Sequence, residues 1–233
     1  MYAWLSEAIS RQFSTLSVLK ESPRGTVSLL QHAATGRRFI LRRFTGSGAV
    51  YRKLMNIRCP NLPQIYEVAT RGEDNLVLEE YVRGDNMGDL LQGSLFTGKE
   101  TRRIALQLCR ALWALHSMDA VHRDVKPENV ILRETEAVLI DFDAARLFKQ
   151  ESARDTQILG TTGFAAPEQY GMSQTDHRAD IYSMGVLLNV MLTGQHPSRC
   201  LAKGRWGRIV TRCTQVNPEK RYQTILQLSE ELF

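Results

Sequence analysis

The stretch His122-Arg123-Asp124-Val125-Lys126-Pro127-Glu128-Asn129 decides the reading of this chain. It sets an imidazole, a guanidinium, two carboxylates, an ammonium and a carboxamide side by side. Such a segment reads as a loop that carries chemistry. Eleven residues then separate Asn129 from Asp141, and they contain two short strand-like runs, Val130 to Leu132 and Ala137 to Ile140. A hairpin across that gap brings Asp124, Asn129 and Asp141 together beside Lys126. Phosphoryl transfer needs this inventory: hard oxygens for Mg²⁺, a carboxylate for an attacking hydroxyl, and a cation for the charge on the moving group.

Helical periodicity surrounds this segment on both sides. Ile104, Leu108, Ala111, Leu112 and Leu115 recur at spacings of three and four, in a helix that opens at Thr97/Gly98-Lys99-Glu100 and closes before Asp119. Helices are expected again at about Asp180 to Leu192, Trp206 to Cys213 and Thr224 to Leu232. Before Gly84 the pattern is different. Leu16 to Leu19, Thr26 to Leu30, Arg38 to Phe44, Ile65 to Thr70 and Leu76 to Glu80 read as strands, with Thr35-Gly36 as a turn. One helix is expected there, about Ala49 to Ile57, ending at Cys59-Pro60-Asn61. The chain is therefore α+β, with a small β-rich part over residues 1–82 and a larger helical part over 83–233.

Composition bounds the rest. The chain has 233 residues, 30 Lys+Arg against 25 Asp+Glu for a formal net charge of +5, 43% hydrophobic residues and 24% charged ones. Those values exclude collagen-like, coiled-coil and disordered classes, and the length suits one large domain or two lobes. No run approaches the roughly 18 apolar residues of a transmembrane helix, and Met1 to Lys20 has no signal-peptide core. Cys59, Cys109, Cys200 and Cys213 form no C-x-x-C pair, which points to reduced thiols and a cytoplasmic setting. The basic residues read as spread out and interleaved with acids, hence as a solvated surface with no nucleic-acid partner.

The order H-R-D-x-K-P-E-N, then Asp141-Phe142-Asp143, then Ala166-Pro167-Glu168, resembles the eukaryotic-type Ser/Thr protein kinases, and Gly160 to Tyr170 looks most like their bacterial members. The resemblance implies a two-lobed fold, ATP and Mg²⁺ as cofactors, and a protein substrate. It implies that Asp124 orients the substrate hydroxyl, that Lys126 contacts the γ-phosphate, and that Asn129 and Asp141 hold the metal. Arg123 then belongs to the type whose activation segment is ordered by a phosphate. Thr156 is the regulatory candidate, and Thr161 hydrogen-bonds near Asp124 and Lys126. Glu168 pairs with Arg221, and Asp180 anchors the backbone at His122-Arg123. Gly25, Val27, Ile40, Arg42, Glu80, Val82 and Ile131 are the positions that match nucleotide contacts, with Met87 beside them.

The first part departs from that family. Its phosphate loop should read G-x-G-x-x-G-x-V, but Lys20-Glu21-Ser22-Pro23-Arg24-Gly25-Thr26-Val27 keeps only the third glycine, and Pro23 removes an N–H donor. Arg42 stands where a lysine is expected, and a planar guanidinium does not substitute simply for an ammonium. Ile40 replaces a small alanine. The helix expected to supply an acid places Val50 there, which leaves Glu79 or Asp143 to pair with Arg42. Asp143 reads as a turn residue or as a third acid near the metal. The stretch from Gly194 to Asn217 is short for a region that carries a substrate-docking helix. These departures set an alternative beside the active kinase: a pseudokinase, a regulatory or protein-interaction module with weak or absent nucleotide binding. A small-molecule phosphotransferase fits less well, because Ala166-Pro167-Glu168 and Arg221 imply a protein-kinase activation segment.

Overall fold

Alternating and helical periodicity segregate along this chain, and the structure follows them into two compact units, residues 1–58 with 63–82, and residues 59–62 with 83–233. The computed structural model describes residues 1–23, 25–148, 161, 163–171 and 175–233.

The first unit is a twisted antiparallel sheet with two helices. In chain order it contains α1 (Tyr2–Gln12), β1 (Phe13–Ser22), β2 (Gly25–His32), β3 (Arg38–Thr45), α2 (Ala49–Leu54), β4 (Ile65–Arg71) and β5 (Asp74–Glu80). The strand order is β1-β2-β3-β5-β4. The period of two sends Leu41, Leu76 and Leu78 to one face, where Leu5 and Ile9 of α1 close over them with Leu30 and Ala69. Burying each such side chain is worth about 1.5–3 kcal/mol, which explains why an apolar stripe of Tyr2, Leu5 and Ile9 forms a helix despite carrying no N-terminal cap. That helix is absent from the sequence expectations, which noted of this segment only that it has no signal-peptide core. The remaining strands lie where they are expected, within a few residues, and α2 stops three residues earlier than its pattern suggested.

Gly25 opens β2 with φ +153°, and a Cβ there would lie 1.9 Å from the Arg43 carbonyl oxygen. The surviving glycine of the loop is thus required by the approach of β3, whatever else it does.

The second unit contains β6 (Asp85–Asn86), α3 (Met87–Gly93), α4 (Gly98–His116), β7 (Ala120–Val121), β8 (Val130–Arg133), β9 (Glu136–Leu139), β10 (Arg146–Leu147), α5 (Arg178–Thr193), α6 (Gly204–Cys213) and α7 (Ile225–Glu230). Thr97 and Glu100 cap α4 reciprocally, Thr97 Oγ1 accepting from Glu100 N and Glu100 Oε2 accepting from Thr97 N. The apolar face of α4 is fully buried, and α5 is buried nearly all round, from Ala179 to Met191. The hairpin β8–β9 pairs Val130 with Leu139, as the eleven-residue gap required. Among the described residues no helix is long and apolar enough to cross a membrane.

Candidate active site

Pro127 turns residues 127–129 into a single 3₁₀ turn between β7 and β8, so the loop from His122 to Asn129 presents its side chains together. Thr161 Oγ1 donates to Asp124 Oδ1 at 2.7 Å, and Lys126 Nζ donates to Thr161 Oγ1 at 2.5 Å while lying 2.9 Å from Asp124 Oδ2. Asn129 Nδ2 donates to both the backbone oxygen and the Oδ2 of Asp124, at 2.8 and 2.9 Å. Four of the residues singled out by the sequence therefore form one closed network. Burial alone would raise the carboxyl pKa of Asp124, but the hydrogen bonds from Thr161 and Lys126 and the Lys126 charge outweigh it and hold the group below its usual range. Asp124 is a carboxylate at neutral pH.

Asp141 reaches the same end of the hairpin by a backbone route. Ile140 N donates to Asn129 O at 2.9 Å, so Asp141 follows directly on the residue paired with Asn129. It adopts φ +67°, a left-handed conformation that aspartate tolerates better than most residues. Asp143 N donates to Asp141 Oδ1 at 3.3 Å, and Asp143 lies in a turn, the first of the two roles open to it.

The hard oxygens present suit Mg²⁺. The Asn129 amide nitrogen is committed to Asp124, which leaves its carbonyl oxygen as the group for a cation, and Asp141 supplies a carboxylate. Mg²⁺ commonly takes one or two protein oxygens and completes its shell with phosphate and water. Among the described residues no three His, Cys, Asp or Glu side chains gather into a metal-binding cluster.

The loop is fixed from beneath by Asp180 of α5. Asp180 is 0% exposed and accepts from His122 N (2.9 Å) and Arg123 N (2.7 Å), while His116 Nε2 lies 2.8 Å from its Oδ2. Burial raises its pKa, yet the bond and charge of His116 with the neighbouring His122 reverse the direction, and the group stays below the usual carboxylate range. Gln169 Nε2 donates to Arg123 O at 2.9 Å. Glu168 and Arg221 form a two-pronged pair at 2.6 and 2.8 Å, with the Arg221 side chain 0% exposed. His116 and Gln169 are absent from the sequence candidates. His116 hid in the apolar seam of α4, and Gln169 behind its neighbour Glu168.

In the first unit Arg42 Nε donates to Glu79 Oε1 at 2.7 Å, with side chains 6% and 4% exposed. Of the two partners expected for Arg42, Glu79 is therefore present. Ile40 faces Glu79 across the β3–β5 ladder, whereas Val50 is buried in α2 without a charge. Glu80 N donates to Gln64 O at 2.8 Å, and its carboxylate accepts from Gln64 N at 3.1 Å. Val27 is half-buried and Val82 buried; in the second unit Met87 is buried and Ile131 half-buried. Thr156 lies outside the described residues.

Comparison with known proteins gives this arrangement a context. The profile described as "Protein kinase domain" matches residues 49–232. The chain is 30% identical over 174 residues to a probable serine/threonine-protein kinase of Clostridium perfringens, covering 73% of this chain and 25% of that protein. It is 27% identical over 235 residues to a probable serine/threonine-protein kinase of Clostridium acetobutylicum, covering 88% and 35%. It is 35% identical over 132 residues to serine/threonine-protein kinase A of Synechocystis, covering 51% and 25%. The chain thus spans a quarter to about a third of the length of these relatives.

Proposed function

The chain belongs to the protein kinase family, and from that membership we propose that it transfers the γ-phosphoryl group of ATP to a serine or threonine hydroxyl of a protein substrate. The observation that carries this reading is the closed network of Asp124, Lys126, Asn129 and Thr161. Asp124, kept ionised, accepts the proton-bearing hydroxyl of the substrate and aligns its oxygen for attack. Lys126 moves between Asp124 and the transferring group as a point charge. Thr161 holds the Asp124 carboxylate from the activation segment, as suits a Ser/Thr-directed site. Mg²⁺, when bound, draws charge from the phosphates, and Asn129 and Asp141 are the residues that would hold it.

The first unit contributes Arg42 toward the phosphates, with Val27, Ile40 and Val82 for the adenine and the backbone at Glu80 for its edge. Of the positions that match nucleotide contacts, Ile131 and Met87 belong to the second unit. Gly25 alone of the usual loop glycines gives the phosphates weak backbone contact. The buried Arg42–Glu79 pair favours one second reading, a regulatory module on the same fold, because Glu79 already meets the Arg42 charge.

Thermal unfolding with and without Mg·ATP separates the two. At 100 times its dissociation constant a ligand adds about 2.7 kcal/mol, a shift of a few degrees at this size. The kinase reading expects that shift, its loss in Asp141→Asn, and labelled phosphate on a generic protein substrate that disappears in Asp124→Asn. No shift at millimolar Mg·ATP selects the regulatory module.

A further inference from the structure

The net charge of the chain is concentrated in one place. Residues 195–221 hold seven Lys and Arg and a single acid, Glu219, a net charge of +6 against +5 for the whole chain. The even spread of basic residues expected from the sequence is thus corrected: everything outside this stretch nets −1. Within the stretch Glu219 is held by Arg178 at 2.7 Å, and Arg221 is taken up by Glu168. Arg199, Lys203, Arg208 and Lys220 are exposed and make no ion pair among the described residues.

Two of these cations, Arg208 and Lys220, line a groove. A cavity of about 600 Å³ lies beside α6, floored by Leu201, Ala202, Gly204 and Gly207 and edged by Arg208 and Lys220, with no acid in its lining. The close packing of its floor has a specific cause. A Cβ at Gly207 would come 2.2 Å from the Ala202 carbonyl oxygen, so α6 can lie against residues 201–203 only because position 207 is glycine. Leu201 remains 45% exposed at the edge of this floor. An aliphatic floor with unmatched cations is a surface waiting for a ligand that is apolar and anionic together.

We propose that this groove docks an acidic segment of a partner protein, with an aliphatic or aromatic side chain on the Leu201–Gly207 floor and carboxylates on Arg208 and Lys220. Charge complementarity selects the anion, and the floor selects a peptide over a nucleic acid. Bases bind through exposed aromatic rings, and the rings near this groove are occupied: Tyr222 is buried with Arg212 4.2 Å above it, and Trp206 packs on Gly98. The groove lies wholly in the second unit and requires no phosphoryl transfer, so the proposal goes beyond the kinase reading and does not depend on it.

The test is selection from a random dodecapeptide library against the whole chain, followed by anisotropy titration of the enriched peptides, labelled with fluorescein. Acidic peptides with one or two large apolar residues are expected, weakening as salt rises. Arg208→Glu with Lys220→Glu should weaken them tenfold or more while phosphorylation of a generic protein and the unfolding midpoint stay as in the wild type. Glutamine and asparagine versions of the same peptides should lose binding to a similar degree. Three results overturn the proposal: enrichment without acidic bias, equal binding by the charge-reversed variant, or tight binding of a labelled oligothymidylate that the variant loses while acidic peptides fail to bind. Because the readout is binding, absence of kinase activity leaves it intact, and loss of peptide binding leaves the kinase reading intact.

Discussion

The two units handle buried charge in opposite ways. In the second, Asp180 and Arg221 each tie together segments more than fifty residues apart in the chain, and Asp180 binds the loop that carries Asp124. In the first, Arg42 and Glu79 sit on adjacent strands and pair with one another within the sheet. The loop that carries Asp124 is thus held from α5 and from Gln169, and His116 of α4 holds Asp180 in turn. The Arg42 cation is positioned from the neighbouring strand, and α2 offers it no carboxylate, since Val50 stands there.

The largest effect expected on this contrast comes from the second unit. Asp124→Asn removes the base-like group while retaining its shape, and a positioned acid–base group is worth about 10²–10⁴-fold in rate. The turnover number should fall by that factor with the unfolding midpoint unchanged. Next is Asp180→Ala. It strips a buried acid from two backbone donors and His116, and breaking such a site costs about 3–5 kcal/mol, to be read by urea unfolding. The pH dependence of the wild type should show the same group. Because the folded pKa of Asp180 lies below its ordinary value of 3.8, its stabilisation is present above that pH and is lost as pH falls through the lower folded value. Asp180→Asn should remove that part of the acid decline.

In the first unit, Glu79→Leu removes the buried carboxylate that accepts from Arg42 Nε at 2.7 Å and should cost about 3 kcal/mol. Adding Arg42→Met should recover most of the loss, because replacing both members of a buried pair by apolar groups is often neutral. If the double variant recovers stability but loses its Mg·ATP shift, the pair serves the nucleotide and not the fold. At the far end of the scale, Arg11→Ala breaks the Glu7–Arg11 pair on α1, whose side chains are 59% and 76% exposed, and should change stability by no more than about 0.5 kcal/mol.

The catalytic half was legible because its residues are bound to a spacing. Eleven residues suit the hairpin, and the capping pair Thr97 and Glu100 marks where α4 begins. Glu79 could be found as a partner for Arg42 because a missing helix acid and an acid at the end of β5 form one anomaly. What escaped depended on tertiary contact. Nothing local announces α1, whose Leu5 and Ile9 become a helix face only against the sheet. Gly25 read as the remnant of a phosphate loop, yet its necessity comes from the Arg43 carbonyl across the ladder. Asp143 lies in a turn, but the unusual backbone angle belongs to Asp141. The charge of residues 195–221 was present in the sequence and was averaged away by summing over the whole chain.

The placement of Arg42 and Glu79 on one hydrogen-bonded sheet has a further meaning. A switch needs a part that can travel, and a carboxylate mounted on a helix can be carried away from its cation when that helix swings. A pair mounted on neighbouring rungs has no such travel: the strands would have to unzip before it parted. For this molecule, the position of α2 carries no message to Arg42 through a shared carboxylate.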